Sequence, residues 1–268
     1  MKWKYLFSIV ALLIIASVAG AQGDGAGAEI PTVTGIASDD GIELPSEVPA
    51  GLVTFTFENN RSDAPFSPII ARLNDGVTMD DLMAAMGGED QMAAVTLLTL
   101  YGGSAIASGE SLNFTTELTA GEYVLVEMEG EGFLAFTVSE GDALEMTEPE
   151  ADVHLAMVDF GFGLPAFVPA GPQVWHLENI GDQWHEVRIY PAPEGISSVA
   201  DVRAAIAAGE EEEPEQAFFW TPMGAGTQVW VTIDLEPGTY VLVCLLPDLA
   251  GDFSPHMEHG MIQVFTVE

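Results

Sequence analysis

An all-β fold, two Greek-key sandwiches in tandem with a short helix inserted in each, is what this 268-residue chain calls for. The chain repeats itself. VPAGLVTFTFEN (48–59) returns as VPAGPQVWHLEN (168–179), and DDLMAAM (80–86) returns as ADVRAAI (200–206). ELTAGEYVLVE (117–127) returns as DLEPGTYVLVC (234–244), and FLAFTV (133–138) parallels IQVFTV (262–267). Matches in one fixed order are the mark of a duplicated domain. Within each copy, short apolar or alternating segments are punctuated by Gly, Pro, Asn and Asp, the signature of strands and turns.

Taken in order, the first copy (29–139) carries LVTFTFE, SLNFTTEL, EYVLVEME and FLAFTV as strands. A helix is expected near 78–86, where Ala-rich apolar spacing follows Thr78 as N-cap. SEGDALEMTEPE (139–150), acidic and interrupted by proline, supplies a linker over 140–150. In the second copy (151–268), QVWHLE, HEVRIY, QVWVTIDL, TYVLVCLL and MIQVFTV are the strands. Its helix is expected over 198–208 behind Ser198, and GEEEEPEQ (209–216) is a solvated loop. Roughly seven or eight short strands in about 110 residues is the density of a Greek-key sandwich.

MKWKYLFSIVALLIIASVAGAQ opens with two lysines, an apolar run and small residues. It reads as a signal peptide over 1–21, cut after Ala21, with 22–28 a flexible N-terminus. The apolar run is short for a membrane span, and no later segment is long and apolar enough to make one. Export to a periplasmic or extracellular space is therefore expected. Without Lys2 and Lys4 the net charge goes from −36 to −38, leaving Arg61, Arg72, Arg188 and Arg203 as the basic residues. Such a surface repels nucleic acid and anionic lipid, and it suits a saline habitat. Nearly half the residues are hydrophobic, ample for a packed core.

Cys244 is the single cysteine, so no internal disulfide forms. It ends a strand and is followed by LLPDLAGDFSPHMEHGM, while His185 opens a strand after NIGDQW. One thiolate (Cys244), two imidazoles (His185 and His256) and one thioether (Met261) are the donor types of a mononuclear blue-copper site. Soft sulfur favours Cu(I), and imidazole accepts both oxidation states. His256 is preferred over His259 because its His-x₄-Met spacing leaves room to wrap a metal. Each residue also has a plainer reading: a buried thiol for Cys244, a hydrogen-bonded strand residue for His185, a core side chain for Met261. His154 and His176 read as outward-facing, and Trp184 and Trp220 as aromatic packing.

The second copy resembles the cupredoxins, the plastocyanin and azurin type of protein. NIGDQWHEV, LEPGTYVLVC and PHMEHGMIQVFTV carry the resemblance across about 152–268. It implies one copper ion held by His185, Cys244, His256 and Met261, one-electron transfer or copper carriage, a redox-partner protein, and no substrate turnover. Eleven residues separate Cys244 from His256, of which DLAGDFS reads as an insertion relative to that family. The first copy has no histidine, with Ser67 matched to His185 and Glu127 to Cys244, and reads as scaffold without metal. No His-x-His pair occurs in the chain, which disfavours a multicopper oxidase. A nucleophile elbow, a phosphate-cradling glycine loop and a CxxC pair are also missing. A metal-free cupredoxin-fold binding or structural module is the alternative.

Overall fold

The computed structural model describes residues 28–88, 93–94, 96–127, 133–140, 146–208 and 215–268. The expected leader (1–21) lies outside them, as do 22–27, residues 141–145 of the linker and 209–214 of the acidic loop. The first half runs β1 (Thr32–Ser38), β2 (Gly41–Glu43), β3 (Glu47–Pro49), β4 (Gly51–Asn59), β5 (Pro68–Leu73), α1 (Met79–Met86), β6 (Leu98–Gly102), β7 (Ser111–Leu118), β8 (Gly121–Glu127) and β9 (Phe133–Ser139). The second repeats this order. It comprises β10 (Val153–Val158), β11 (Gly161–Gly163), β12 (Phe167–Val168), β13 (Gly171–Asn179), β14 (His185–Pro191), α2 (Val199–Ala208), β15 (Phe218–Met223), β16 (Gln228–Leu235), β17 (Gly238–Val243), α3 (His256–His259) and β18 (Ile262–Val267). Among the described residues no helix is long and apolar enough to cross a membrane.

The alternation in the sequence becomes burial. In β4, Val53, Phe55 and Phe57 are fully buried while Thr54 and Thr56 are not. Each strand thus offers one apolar face to the space between the sheets. Both inserted helices form where expected. Thr78 and Asp81 make a reciprocal capping box at α1, and Ser198 Oγ accepts the Asp201 N–H at the start of α2.

The halves are joined more closely than a linker would require. The two sheets run through the molecule, one ordered β11-β10-β13-β16-β7-β4-β1-β2, the other β12-β18-β17-β14-β15-β6-β5-β8-β9-β3. The first parallel pair of each half (β1 with β4, β10 with β13) is matched between halves. At the joint β16 lies antiparallel to β7, with Val231 opposite Phe114. Phe114 is the residue that the 117-residue repeat offset equates with Val231, so each half meets the other through the same strand. This is the self-complementary contact of a two-fold axis, here approximate and within one chain. Phe114 packs edge-on against Trp220, whose Nε1–H donates to the Tyr101 carbonyl across the joint. One continuous hydrophobic core runs from Val33 to Val267 through both halves.

Candidate metal centre

His185, Cys244 and His256 come together at one end of the second half, all of them buried. Each is positioned differently. His185 opens β14 at a β-bulge, where the pairing with β15 slips between His185 and Val187. The bulge turns two successive side chains, His185 and Glu186, into the interior. Cys244 follows the last residue of β17. The eleven-residue stretch after it closes on itself: Asp248 N–H donates to Ser254, Phe253 N–H donates to Asp248, and Pro247 bridges Pro255. The insertion therefore folds outward and returns His256 to the strand end.

Backbone hydrogen bonds lock that return. Cys244 N–H donates to the Met261 carbonyl, Met257 N–H to the Cys244 carbonyl, Met261 N–H to the His256 carbonyl, and His256 N–H to the Leu246 carbonyl. Met261 is itself fully buried. The Glu186 carboxylate accepts the Leu245 N–H and is held by Arg188, which lies over the Phe219 ring.

The donor atoms face one another. His185 Nδ1 lies 3.2 Å from His256 Nδ1, which lies 3.5 Å from Cys244 Sγ. His185 Nε2 is 3.0 Å from Asp159 Oδ1. A carboxylate only accepts, so Nε2 carries the hydrogen and Nδ1 turns a lone pair inward. Burial pushes the His185 imidazole below its ordinary range, and the Asp159 hydrogen bond opposes this without reversing it. Burial likewise lowers His256, so both rings are neutral donors at neutral pH. Burial also pushes the Cys244 thiol up to about 12, against N–H hydrogen bonds from Glu186 and Leu246 that favour the thiolate. For Asp159, burial acts to raise the carboxyl, but the Gln183, Asp182 and His185 hydrogen bonds outweigh it and hold the group low.

Imidazole nitrogen and thiolate sulfur bind a late transition-metal ion at about 2.0 and 2.3 Å, so donors sharing an ion in near-tetrahedral fashion stand about 3.2–3.5 Å apart. The separations here fall in that range. The residues fit a metal.

His259 faces away from the cluster. Its Nε2 is 2.8 Å from Ser254 Oγ and 3.2 Å from Asp252 Oδ1, forming with Asp248 a separate, more exposed group. Phe160 sits between the two loop histidines, edge-on to His256 and tilted against His259. His256 Nε2 is buried without a hydrogen-bond partner among the described residues. His256 also borders an apolar cavity of about 210 Å³ lined by Leu100, Trp184, Pro222, Leu246 and Leu249, with Leu100 coming from the first half.

In the first half an ion pair occupies the corresponding space. Its register corrects the expected match of Ser67 to His185. The Asn59 side chain donates to the Ile106 carbonyl as that of Asn179 does to Met223. Phe66 pairs with Ile106 as His185 pairs with Met223. Phe66 is therefore the counterpart of His185; the strand alignment slipped by one at the turn before it. Glu127 does match Cys244, and it is ion-paired to Arg61, whose guanidinium lies over Phe66. Arg61 corresponds to Gly181. A Cβ at Gly181 would stand 2.5 Å from Asp159 Oδ1 and 2.9 Å from His185 Nε2. Asp159 and Gly181 are the site residues that sequence reading missed; the one available signal was the Arg61–Gly181 difference between repeats.

No protein-family model matches the sequence, and no curated protein matches it. Among solved structures, the chain is similar to reduced auracyanin from the photosynthetic bacterium Roseiflexus castenholzii, at 23% identity and a TM-score of 0.31, over 43% of this chain and 94% of that one. It is similar also to auracyanin A, a "blue" copper protein from Chloroflexus aurantiacus, at 15% identity and a TM-score of 0.29, over 43% of this chain and 99% of that one. Copper nitrite reductase from Nitrosomonas europaea matches 90% of this chain and 94% of its own, at 12% identity and a TM-score of 0.26.

Proposed function

We propose that this chain is an exported, cupredoxin-like copper protein in which His185, Cys244, His256 and Met261 would hold one ion, and that it passes single electrons to a partner protein. The observation that carries the reading is the convergence of one thiol and two neutral imidazole Nδ1 atoms within 3.5 Å contacts in a buried site. A bound copper ion supplies a one-electron couple that none of these side chains has alone.

The chain's own residues do the rest. Asp159 holds the His185 ring in the tautomer that offers Nδ1. The Glu186 and Leu246 amides are aimed at the sulfur and stabilise it as thiolate once its proton leaves. The interlocked backbone bonds of Cys244, His256 and Met261 keep the donors in place, so little rearrangement accompanies a change of charge. Apolar packing excludes water from the sulfur. Electron carriage without substrate turnover accords with a chain in which the donor set occurs once and no His-x-His pair is present.

The test is addition of Cu(II) to the purified protein, followed by visible and EPR spectra. One equivalent should produce an intense thiolate-to-copper band that Cys244→Ser abolishes. Failure to take up stoichiometric copper at any concentration would overturn the reading in favour of a metal-free module.

A further inference from the structure

Two of the three histidines outside that centre lie side by side. His154 on β10 and His176 on β13 are register partners on adjacent parallel strands. Both point to the outer face of the sheet, since the neighbours of His176 in sequence, Trp175 and Leu177, are buried in the core. Their Nδ1 atoms are 3.4 Å apart, with the rings at 84°. That distance lies beyond the 2.7–3.2 Å of a good N–H hydrogen bond.

His176 is held on its other sides. Its Nε2 lies 3.0 Å from Gln228 Oε1, and the Gln228 amide nitrogen donates to Glu117 Oε2 at 3.1 Å across the joint between the halves. The carboxylate takes the amide hydrogen, which turns Oε1 toward the ring. Oε1 only accepts, so His176 Nε2 carries the hydrogen and Nδ1 presents a lone pair to His154. The ring also stacks flat on Trp230, 4.4 Å between centroids and 6° between planes. An imidazole fixed in tautomer and orientation by a hydrogen bond to its far nitrogen is the usual state of a metal-ligating histidine.

We propose that His154 and His176 form a second metal site, on the outer sheet face, for one late first-row transition-metal ion of the copper–zinc class. The two Nδ1 atoms are the protein donors, and water completes the coordination. Two nitrogens about 2.0–2.1 Å from one ion and 3.4 Å from each other subtend about 110°, the tetrahedral value. The strongly acidic surface draws cations to it. This inference is independent of the buried centre, which uses neither residue.

The experiment uses the full chain carrying Cys244→Ser, which removes the buried thiol. Equilibrium dialysis against Cu(II) alone and against Zn(II) alone counts bound ions, and tryptophan emission reports copper near Trp230. Adding His154→Ala, a change at an exposed side chain, should lower the count by one ion and remove the copper-dependent quenching attributable to that site. Gln228→Leu, which leaves both Nδ1 atoms in place, should weaken the same ion by roughly 10–100-fold. In the protein with Cys244 intact, neither change should alter the thiolate-to-copper band, so this site and the buried one succeed or fail separately. Equal ion counts with and without His154 overturn the proposal.

Discussion

At the scale of single residues, the buried cluster is a set of side chains tuned by burial rather than by charge. The Cys244 thiol, raised by burial from 9.0 to about 12, stays protonated in the metal-free protein. Its nucleophilic form is therefore scarce, and its side chain is enclosed. Iodoacetamide at pH 8 should leave native metal-free protein unmodified and alkylate Cys244 once the chain is unfolded, which mass spectrometry reads directly. The linkage has a definite sign: an acid raised in the folded state adds stability that is complete below about 9 and disappears as pH climbs toward about 12. Thermal unfolding should show that loss in the wild type and less of it in Cys244→Ser. Cys244, His185 and His256 were legible in the sequence because donor chemistry and chain order mark them. Asp159 was not, for a physical reason. Its carboxylate caps the 181–183 turn, and Asp39 does the same for Ser62 in the first half. A residue with a structural task in both copies carries no mark of the extra contact it makes with His185 in one.

Among elements, the most informative comparison is between β8 and β17, the same strand with different ends. β17 runs into Cys244 and the loop that brings His256 back. β8 ends at Glu127, whose carboxylate is 6% exposed and is gripped through both oxygens by Arg61. Arg61→Ala strands that buried carboxylate and should cost about 3–5 kcal/mol, whereas Arg61→Met combined with Glu127→Met should be close to neutral or stabilising. Urea unfolding of the three proteins checks both statements. The seven-residue insertion DLAGDFS was visible in the sequence, but its consequence for His256 was not. Loop closure here depends on backbone bonds between Asp248, Phe253 and Ser254, and backbone partners are set by conformation rather than residue type. The one-residue slip at Phe66 has the same origin: side-chain patterns survive a shift in a turn, whereas strand register records it.

For the molecule as a whole, the repeat in the sequence implied two sandwiches, and the strands and inserted helices formed where the patterns placed them. The sharing of both sheets between halves was not legible. An edge strand and a joint strand have the same alternation, and the difference lies in what sits across the next row of hydrogen bonds. The structure records the difference: Val229, Trp230 and Val231 are buried in succession, as are Phe114, Thr115 and Thr116, where a half-exposed strand would alternate. Cutting the chain to 151–268 would bare the edge of β16 over Val229–Val231, where it pairs with β7, and leave its other edge on β13. Because β16 already meets its own counterpart, the isolated half should pair β16 with β16 and run as a dimer in light scattering. A monodisperse monomer would count against the two-fold character of the joint. That joint has a further meaning. Two separate identical subunits related by a two-fold axis must carry a feature twice or not at all. Tethering them in one chain lifts the obligation, letting one partner keep a donor cluster while the other seals the same space with an ion pair. The joint gives one chain the layout of a two-fold pair, with a front and a back that such a pair could not have.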